Sequence, residues 1–217
     1  MMIRIRHAAN ADIPSLQHLL ERSVRGLQAQ DYTPTQIDSA LRTIYGIDSQ
    51  LIADGTYYVA EEYFDRAVGS AQTSKIVGCG GWGKRRTLFG GDQCLGRQDD
   101  LLDPRSEAAK IRALFIHPNW SRRGIGSMLL DKCESDAQAA GFTTFEMGST
   151  LTGVPFYRSR GYEEVSRIQI PLGSGDSFPI VHMRKVTTRC PCSSVQSLDM
   201  RKQHREDKYR EKDQREK

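Results

Sequence analysis

Ile111-Arg-Ala-Leu-Phe-Ile-His-Pro-Asn-Trp-Ser-Arg-Arg-Gly-Ile-Gly-Ser-Met-Leu-Leu130 is the stretch on which the chain is organised. Leu114, Phe115 and Ile116 form an apolar run of strand length. Pro118 ends it, because proline has no N–H to give a ladder. Beyond the turn, Ile125, Leu129, Leu130, Cys133 and Ala137 recur at helical spacing. Between strand and helix lies Ser121-Arg-Arg-Gly-Ile-Gly126. A helix N-terminus exposes unpaired N–H groups and a partial positive charge. Glycine lets a phosphate approach that backbone closely, and Arg122 and Arg123 add positive charge beside it. The pattern is that of a diphosphate cradle, or of a glycine-containing helix start with a solvated arginine pair.

A second stretch, Phe156-Tyr-Arg-Ser-Arg-Gly-Tyr162, follows about thirty residues after the cradle. Together, and in this order, the two stretches resemble the GNAT superfamily of N-acetyltransferases. That family has Gln/Arg-x-x-Gly-x-Gly/Ala between a central strand and a helix, and a late aromatic-Tyr pair with glycine four residues on. Ser121 stands at the Gln/Arg position, and Thr150 and Gly153 stand where members often carry Asn and Ala. The resemblance covers most of residues 1 to 186. It implies an α/β fold, with a mixed, mostly antiparallel central sheet and helices on both faces. It implies acetyl-CoA as acyl donor, held by Leu114, Phe115, Ile116, Arg122, Arg123, Gly124, Ile125, Gly126, Ser127 and Thr150. Tyr157 takes the place of the general acid that protonates the departing thiolate.

Composition agrees with a soluble globular domain plus a tail: 217 residues, 38% hydrophobic and 27% charged. No apolar run is long enough to cross a membrane, and Met1 to Arg6 lack the apolar stretch of a signal peptide. A cytoplasmic protein is expected. Cys79, Cys94, Cys133, Cys190 and Cys192 are an odd set with no disulfide pattern. Cys190-Pro-Cys192 lacks companion ligands at metal spacing, so no metal is expected. From Arg201 to Lys217 eight Lys/Arg stand against five Asp/Glu, which places most of the formal net charge of +4 in the tail. The body is then near neutral, which argues against nucleic acid as a partner.

Taken in order, Ile3 to Arg6 alternate as a half-buried strand should. Asp12 is placed to cap a helix with Pro14 in its first turn, Leu16, Leu19, Leu20 and Val24 on its buried face and Gly26 at its end. Thr33-Pro-Thr-Gln36 is a capping box with proline at the first helical position. In the family the loop between these helices helps form the acceptor pocket, which makes Gln30, Asp31 and Tyr32 candidate contacts. Tyr57 to Ala60 and Lys75 to Cys79 form strands joined by a polar hairpin. Gly78-Cys-Gly-Gly-Trp-Gly83 fits a dinucleotide fingerprint, but Gly90 and Gly91 argue against the helix such a motif requires. Its glycines mark close approach of chains or ligand, with Trp82 available to line the acceptor site. Residues 84 to 109 form a long polar insertion. Its Arg85, Arg86, Asp92, Arg97, Asp99, Asp100 and Asp103 either recognise a charged acceptor or make a solvated flap. Phe142 to Met147 form a strand, Leu151 to Arg160 a short helix, and Glu163 to Ile170 with Phe178 to Arg184 an antiparallel pair. From residue 187 the chain turns polar and charged, too poor in apolar residues to offset its ordering entropy, and a disordered tail is expected.

The expected reaction is direct transfer of an acetyl group from acetyl-CoA to the primary amine of a small molecule. The carbonyl is held by N–H groups near Phe115 and Ile116, and no covalent acyl-enzyme is needed. A protein or peptide amine as acceptor and a non-catalytic CoA-binding interaction module are the alternatives, and a homodimer is left open. The general base is not evident. Lys110, a poor base, stands where many members have Glu, with Glu107 three residues before it, and Glu61, Glu146 and His117 are the candidate replacements.

Overall fold

In the computed structural model the described residues are 2–63, 74–173 and 175–187. Residues 1–187 form one unit, and the expectations for the tail and for Cys190 and Cys192 lie outside the described residues. Seven strands make one sheet in the order β1-β2-β3-β4-β5-β7-β6. They are β1 Met2–His7, β2 Tyr57–Tyr63, β3 Ser74–Gly83, β4 Ala109–Ile116, β5 Thr144–Thr150, β6 Glu163–Pro171 and β7 Ser177–Val186. The helices are α1 Ile13–Leu27, α2 Pro34–Thr43, α3 Ser49–Ala53, α4 Ile125–Ala139 and α5 Val154–Ser159. Neighbouring strands are antiparallel except β4 and β5, the parallel pair. Parallel neighbours need a crossover, and α4 supplies it. The mixed, mostly antiparallel sheet is as expected from the sequence.

The sheet buries both faces. Ile125, Leu129, Leu130, Cys133 and Ala137 of α4 are at most 1% exposed and pack with Val77, Ile111, Phe145 and Met147. Leu16 and Leu19 of α1 cover the other face with Tyr57 and Val59, while Tyr58 and Ala60 join the α4 side. That division follows the two-residue period of a strand. Thr33 Oγ1 accepts the Gln36 N–H, and Gln36 Oε1 accepts the Thr33 N–H, so the capping box forms as read. Asp12 does not cap α1 with its side chain. It accepts the Ala9 N–H and the Arg6 guanidinium. Gly26 lies inside α1, where an added Cβ would come within 2.4 Å of Pro118 Cγ, so its role is close approach to the loop before the cradle. The short helix α3 is not evident from apolar periodicity, because five residues are too few to show one.

The glycines of the apparent dinucleotide motif belong to β3, and no helix opens after them. An added Cβ on Gly78 would meet Ile116 and Ile125 at 3.0 Å; on Gly81 it would meet the Thr56 carbonyl oxygen at 2.8 Å. Gly81→Ala is therefore expected to destabilise the fold by about 1–3 kcal/mol, the usual cost of overpacking against backbone that cannot yield. A denaturation midpoint equal to that of the wild type would refute this reading of the glycines.

Candidate active site

β4 and β5 are held together only at Ala109↔Phe145 and Lys110↔Glu146, then separate. Two features of β4 accompany the split. Its register with β3 shifts between Cys79 and Gly81, and Ala113 adopts φ 53°, the left-handed region. A non-glycine residue held there costs roughly 1–3 kcal/mol, and such strain concentrates at functional sites. Beyond the split the facing edges of the two strands no longer pair with each other. The gap is the centre of a cleft of about 920 Å³. Leu114, Phe115 and Ile116 line it from β4, and Met147 to Thr150 line it from β5. The Ile116 N–H is already committed, donating to Ser23 Oγ at 3.2 Å. That takes it out of the set expected to hold a carbonyl.

At one end of the cleft lies the cradle. Arg122 and Gly124 have φ of 61° and 81°, and Gly124 is the N-cap residue of α4. Glycine has no side chain to cap with, so no side chain shields the first N–H groups of the helix. Left-handed residues in such a turn aim consecutive N–H groups to one side, a geometry that binds anions. Ser121, Arg122, Gly124, Gly126 and Ser127 line the cleft. Ile125 is a core residue at 1% exposure. Arg123 is not among the cleft-lining residues; its guanidinium lies 5.9 Å from the centre of the Trp120 ring.

Tyr157 reaches the cleft from α5. Its ring packs edge-on against Phe156 and Tyr162 at 5.0 and 5.8 Å. Burial raises its hydroxyl above the ordinary tyrosine range, with the Cys133 thiol adding to the effect. It is therefore protonated across the neutral range. The strand-to-helix junction that places it is fixed by Thr150, which lines the cleft and whose Oγ1 accepts the Gly153 N–H at 3.2 Å.

Tyr32 and Trp82, both expected at the acceptor site, are core residues. Tyr32 donates to the Pro179 carbonyl at 2.7 Å, accepts the Leu151 N–H at 2.8 Å and stacks on Phe178 at 4.2 Å. It braces α5 and the sheet and does not line the cleft. Trp82 is 5% exposed in the α4-side core, edge-on to Phe142. A strand side chain faces one side only, and Trp82 faces the α4-side core and does not line the cleft. Of the inter-helix loop, Asp31 is engaged with the Thr152 hydroxyl at 2.6 Å, and Gln30 is exposed and outside the cleft.

The candidate bases are spent elsewhere. Glu61 is clamped by Arg4 and Arg6 at 2.9 and 2.6 Å. Burial pushes its carboxyl up, and the arginine hydrogen bonds outweigh that and hold it below the usual range. Lys110 and Glu146 pair at 2.6 Å, and Glu107 pairs with Arg86. Burial, then the nearby Lys75, Arg22 and His18, lowers the His117 pKa. Its Nδ1 accepts the Asn119 N–H, fixing the turn before the cradle. No Asp, Glu or His is among the described residues that line the cleft.

The insertion covers one end of the cleft, but not with its charges. Arg85 pairs with Asp54, Arg97 with Asp48, and Asp103 with Arg105. Leu88, Phe89, Gly90 and Gly91 are what reach the cleft. Gly91 and Asp92 donate their N–H groups to Ile44 and Ile47, stitching the loop to the α2–α3 connection. The Gly91 Cβ position lies 2.5 Å from Gly46 Cα, so the two chains meet glycine to glycine. Tyr45 and Gln28 also line this end, the Tyr45 hydroxyl donating to Gln28 Oε1 at 2.8 Å. The residue that sequence reasoning passed over is Arg112. It lines the cleft and is 6% exposed. Its signal was one charge inside the apolar run Ile111-Arg-Ala-Leu114; its partner Asp48 is remote in sequence.

Among the described residues no helix is long and apolar enough to cross a membrane. No curated protein sequence matches the chain. Three solved structures share its fold. A GCN5-related N-acetyltransferase from Rhodopseudomonas palustris is 20% identical, with a TM-score of 0.58 over 86% of this chain and 96% of its own. The PaiA N-acetyltransferase of Thermoplasma acidophilum, solved in complex with coenzyme A, is 16% identical, with a TM-score of 0.56 over 86% and 99%. A ribosomal-protein-alanine N-acetyltransferase from Brucella melitensis is 17% identical, with a TM-score of 0.51 over 84% and 99%. Residues 101–187, which hold the split strands, the cradle and the Tyr157 helix, match the family model described as acetyltransferase (GNAT) domain.

Proposed function

We propose that the protein transfers an acetyl group from acetyl-CoA directly to the primary amine of a small molecule. The observation that carries this reading is the split between β4 and β5, with the uncapped α4 N-terminus at its end. A strand edge without a partner offers N–H and C=O groups to any extended amide-bearing chain, as in strand addition. The pantetheine arm is such a chain, and the cradle suits the diphosphate to which it is joined. The solved PaiA relative was crystallised with coenzyme A, which agrees with this.

Three requirements of the chemistry can be assigned. The Leu114 N–H at the β4 bulge polarises the thioester carbonyl; the Phe115 N–H is engaged with Cys79. The amine attacks that carbon, the C–S bond breaks, and the Tyr157 hydroxyl gives its proton to the departing sulfur. Burial raises a thiolate as well as a phenol, so acid and leaving group shift together. The third requirement, a neutral amine, falls to solvent, because no acidic or histidine side chain is among the described residues that line the cleft. The pH profile follows. kcat/KM should rise with pH until the acceptor's own amine is neutral, near 8 for an α-amine and above 10 for an alkyl amine. A break near pH 6–7 common to all acceptors would instead reveal a titrating base on the enzyme.

A small acceptor is favoured because Phe89, Gly90 and Gly91 close over the cleft end where it would enter. A protein N-terminus is the second reading, favoured by the fold shared with a ribosomal-protein-alanine N-acetyltransferase. Calorimetry with acetyl-CoA, followed by thiol release across a panel of free amines and short peptides, separates the two. Turnover on peptides alone would overturn the small-molecule reading.

A further inference from the structure

We infer that Arg112 receives an anionic group of the acceptor, a carboxylate, so that the substrate is an amine that also carries an acid. This rests on the acetyltransferase reading above and deepens it. Arg112 projects from β4 immediately before the bulge at Ala113, at the end of the cleft covered by Phe89 to Gly91. Its Nη2 donates to the Gly90 carbonyl and lies 2.8 Å from Asp48 Oδ2. Its Nη1 and Nε have no hydrogen-bond partner among the described residues.

The buried carboxylate beside Arg112 is shared. Asp48 is 1% exposed and answers two guanidinium groups, Arg112 at 2.8 Å and Arg97 at 3.0 Å. Its Oδ1 also accepts the Leu51 N–H, while its buried Oδ2 holds no aligned hydrogen bond. The next acid, Asp92, stands 4.0 Å from Arg97, is half exposed and accepts the Ser49 N–H. Asp48 is thus shared between two guanidinium groups, and Arg112, whose remaining edge meets the cleft, finds no acidic residue among the described residues that line it. Burying an unmatched charge is costly unless a partner arrives. A planar guanidinium with free N–H groups matches a carboxylate in geometry as well as charge. Around it Tyr45, Phe89, Phe115 and Phe178 form an apolar wall that excludes water and strengthens the pairing.

The test compares free amino acids with their carboxamides as acceptors, at saturating acetyl-CoA, using thiol release. Expressed per neutral amine, because the carboxamide's amine is the less basic of the two, the acid should be preferred in kcat/KM by about 10–100-fold, the size of a hydrogen bond to a charged group. The difference should lie in KM. Arg112→Met should erase it and Arg112→Lys restore part of it. Because Arg112→Met alone orphans Asp48, Arg112→Met with Asp48→Asn is the folding control; it removes both charges together, and Asn can still cap α3. Equal use of acid and amide by the wild type would overturn the inference. So would a preference that survives in the double variant, or acetyl-CoA binding without turnover on any carboxylate-bearing amine. Failure of the wild type to bind acetyl-CoA would overturn the transferase reading itself.

Discussion

Tyr157→Phe is expected to lower kcat by about 10²–10⁴-fold, the range a positioned acid contributes, while acetyl-CoA binding stays at the wild-type level. The ring is what packs against Phe156 and Tyr162, and phenylalanine keeps it. The hydroxyl lines the cleft, and burial with the Cys133 thiol accounts for its raised pKa, with no hydrogen bond contributing. Removing it therefore takes away a proton donor and little packing. The sign with pH is also fixed. A phenol raised above its ordinary pKa of about 10 holds its proton there, so wild-type activity should show no alkaline fall below that pH from loss of this acid. A Tyr157→Phe variant within a few-fold of the wild-type kcat would assign the leaving-group proton to water. Calorimetry with acetyl-CoA separates that result from a binding defect.

Gly124→Glu should weaken acetyl-CoA binding by more than about a hundredfold. Placing like charge against a bound anion costs several kcal/mol. Gly124 lines the cleft at the α4 N-terminus, where an added Cβ meets nothing within 4 Å. Its φ of 81° does penalise any side chain, by about 1–2 kcal/mol. Gly124→Ala carries that strain without the charge and is the control. Alanine should cost stability in a thermal melt and leave most of the affinity. If alanine and glutamate weakened binding equally, backbone shape rather than electrostatics would be what the cradle supplies.

Much of this fold can be read locally. The helix α4 and its uncapped start follow from Gly124-Ile-Gly126 and the spacing of Ile125, Leu129, Cys133 and Ala137. The α2 start follows from the Thr33–Gln36 box, and the strand over Gly78 to Gly83 from the glycines at Gly90 and Gly91 that forbid a helix. Each of these depends on contacts within a few residues, which composition and period encode directly. Tyr157, too, was placed by the motif around it.

What the tertiary structure decided depends on which elements meet. A tyrosine before a capping box and a tryptophan among glycines look alike as acceptor contacts until strand direction and packing send Tyr32 and Trp82 into the core. Lys110, Glu146, Glu61 and Glu107 look like bases until each is found locked to an opposite charge remote in sequence. The insertion 84–109 carries charges that invite a recognition role, yet only its apolar and glycine tip reaches the cleft, because charged side chains such as Arg85, Arg97 and Asp103 are paired elsewhere. Arg112 is the counterpart: one charge in an apolar strand, given meaning only when Asp48 and Gly90, remote in sequence, are brought against it. The sequence by itself carried the order of elements apart from α3 and the glycine turn before α4, since these rest on local backbone chemistry, while Tyr157 as candidate acid came from the family resemblance of its motif. The sheet decided the split of β4 from β5, the lack of Asp, Glu or His among the described residues lining the cleft and the buried arginine, because pairing register and charge compensation are properties of segments that touch only after folding.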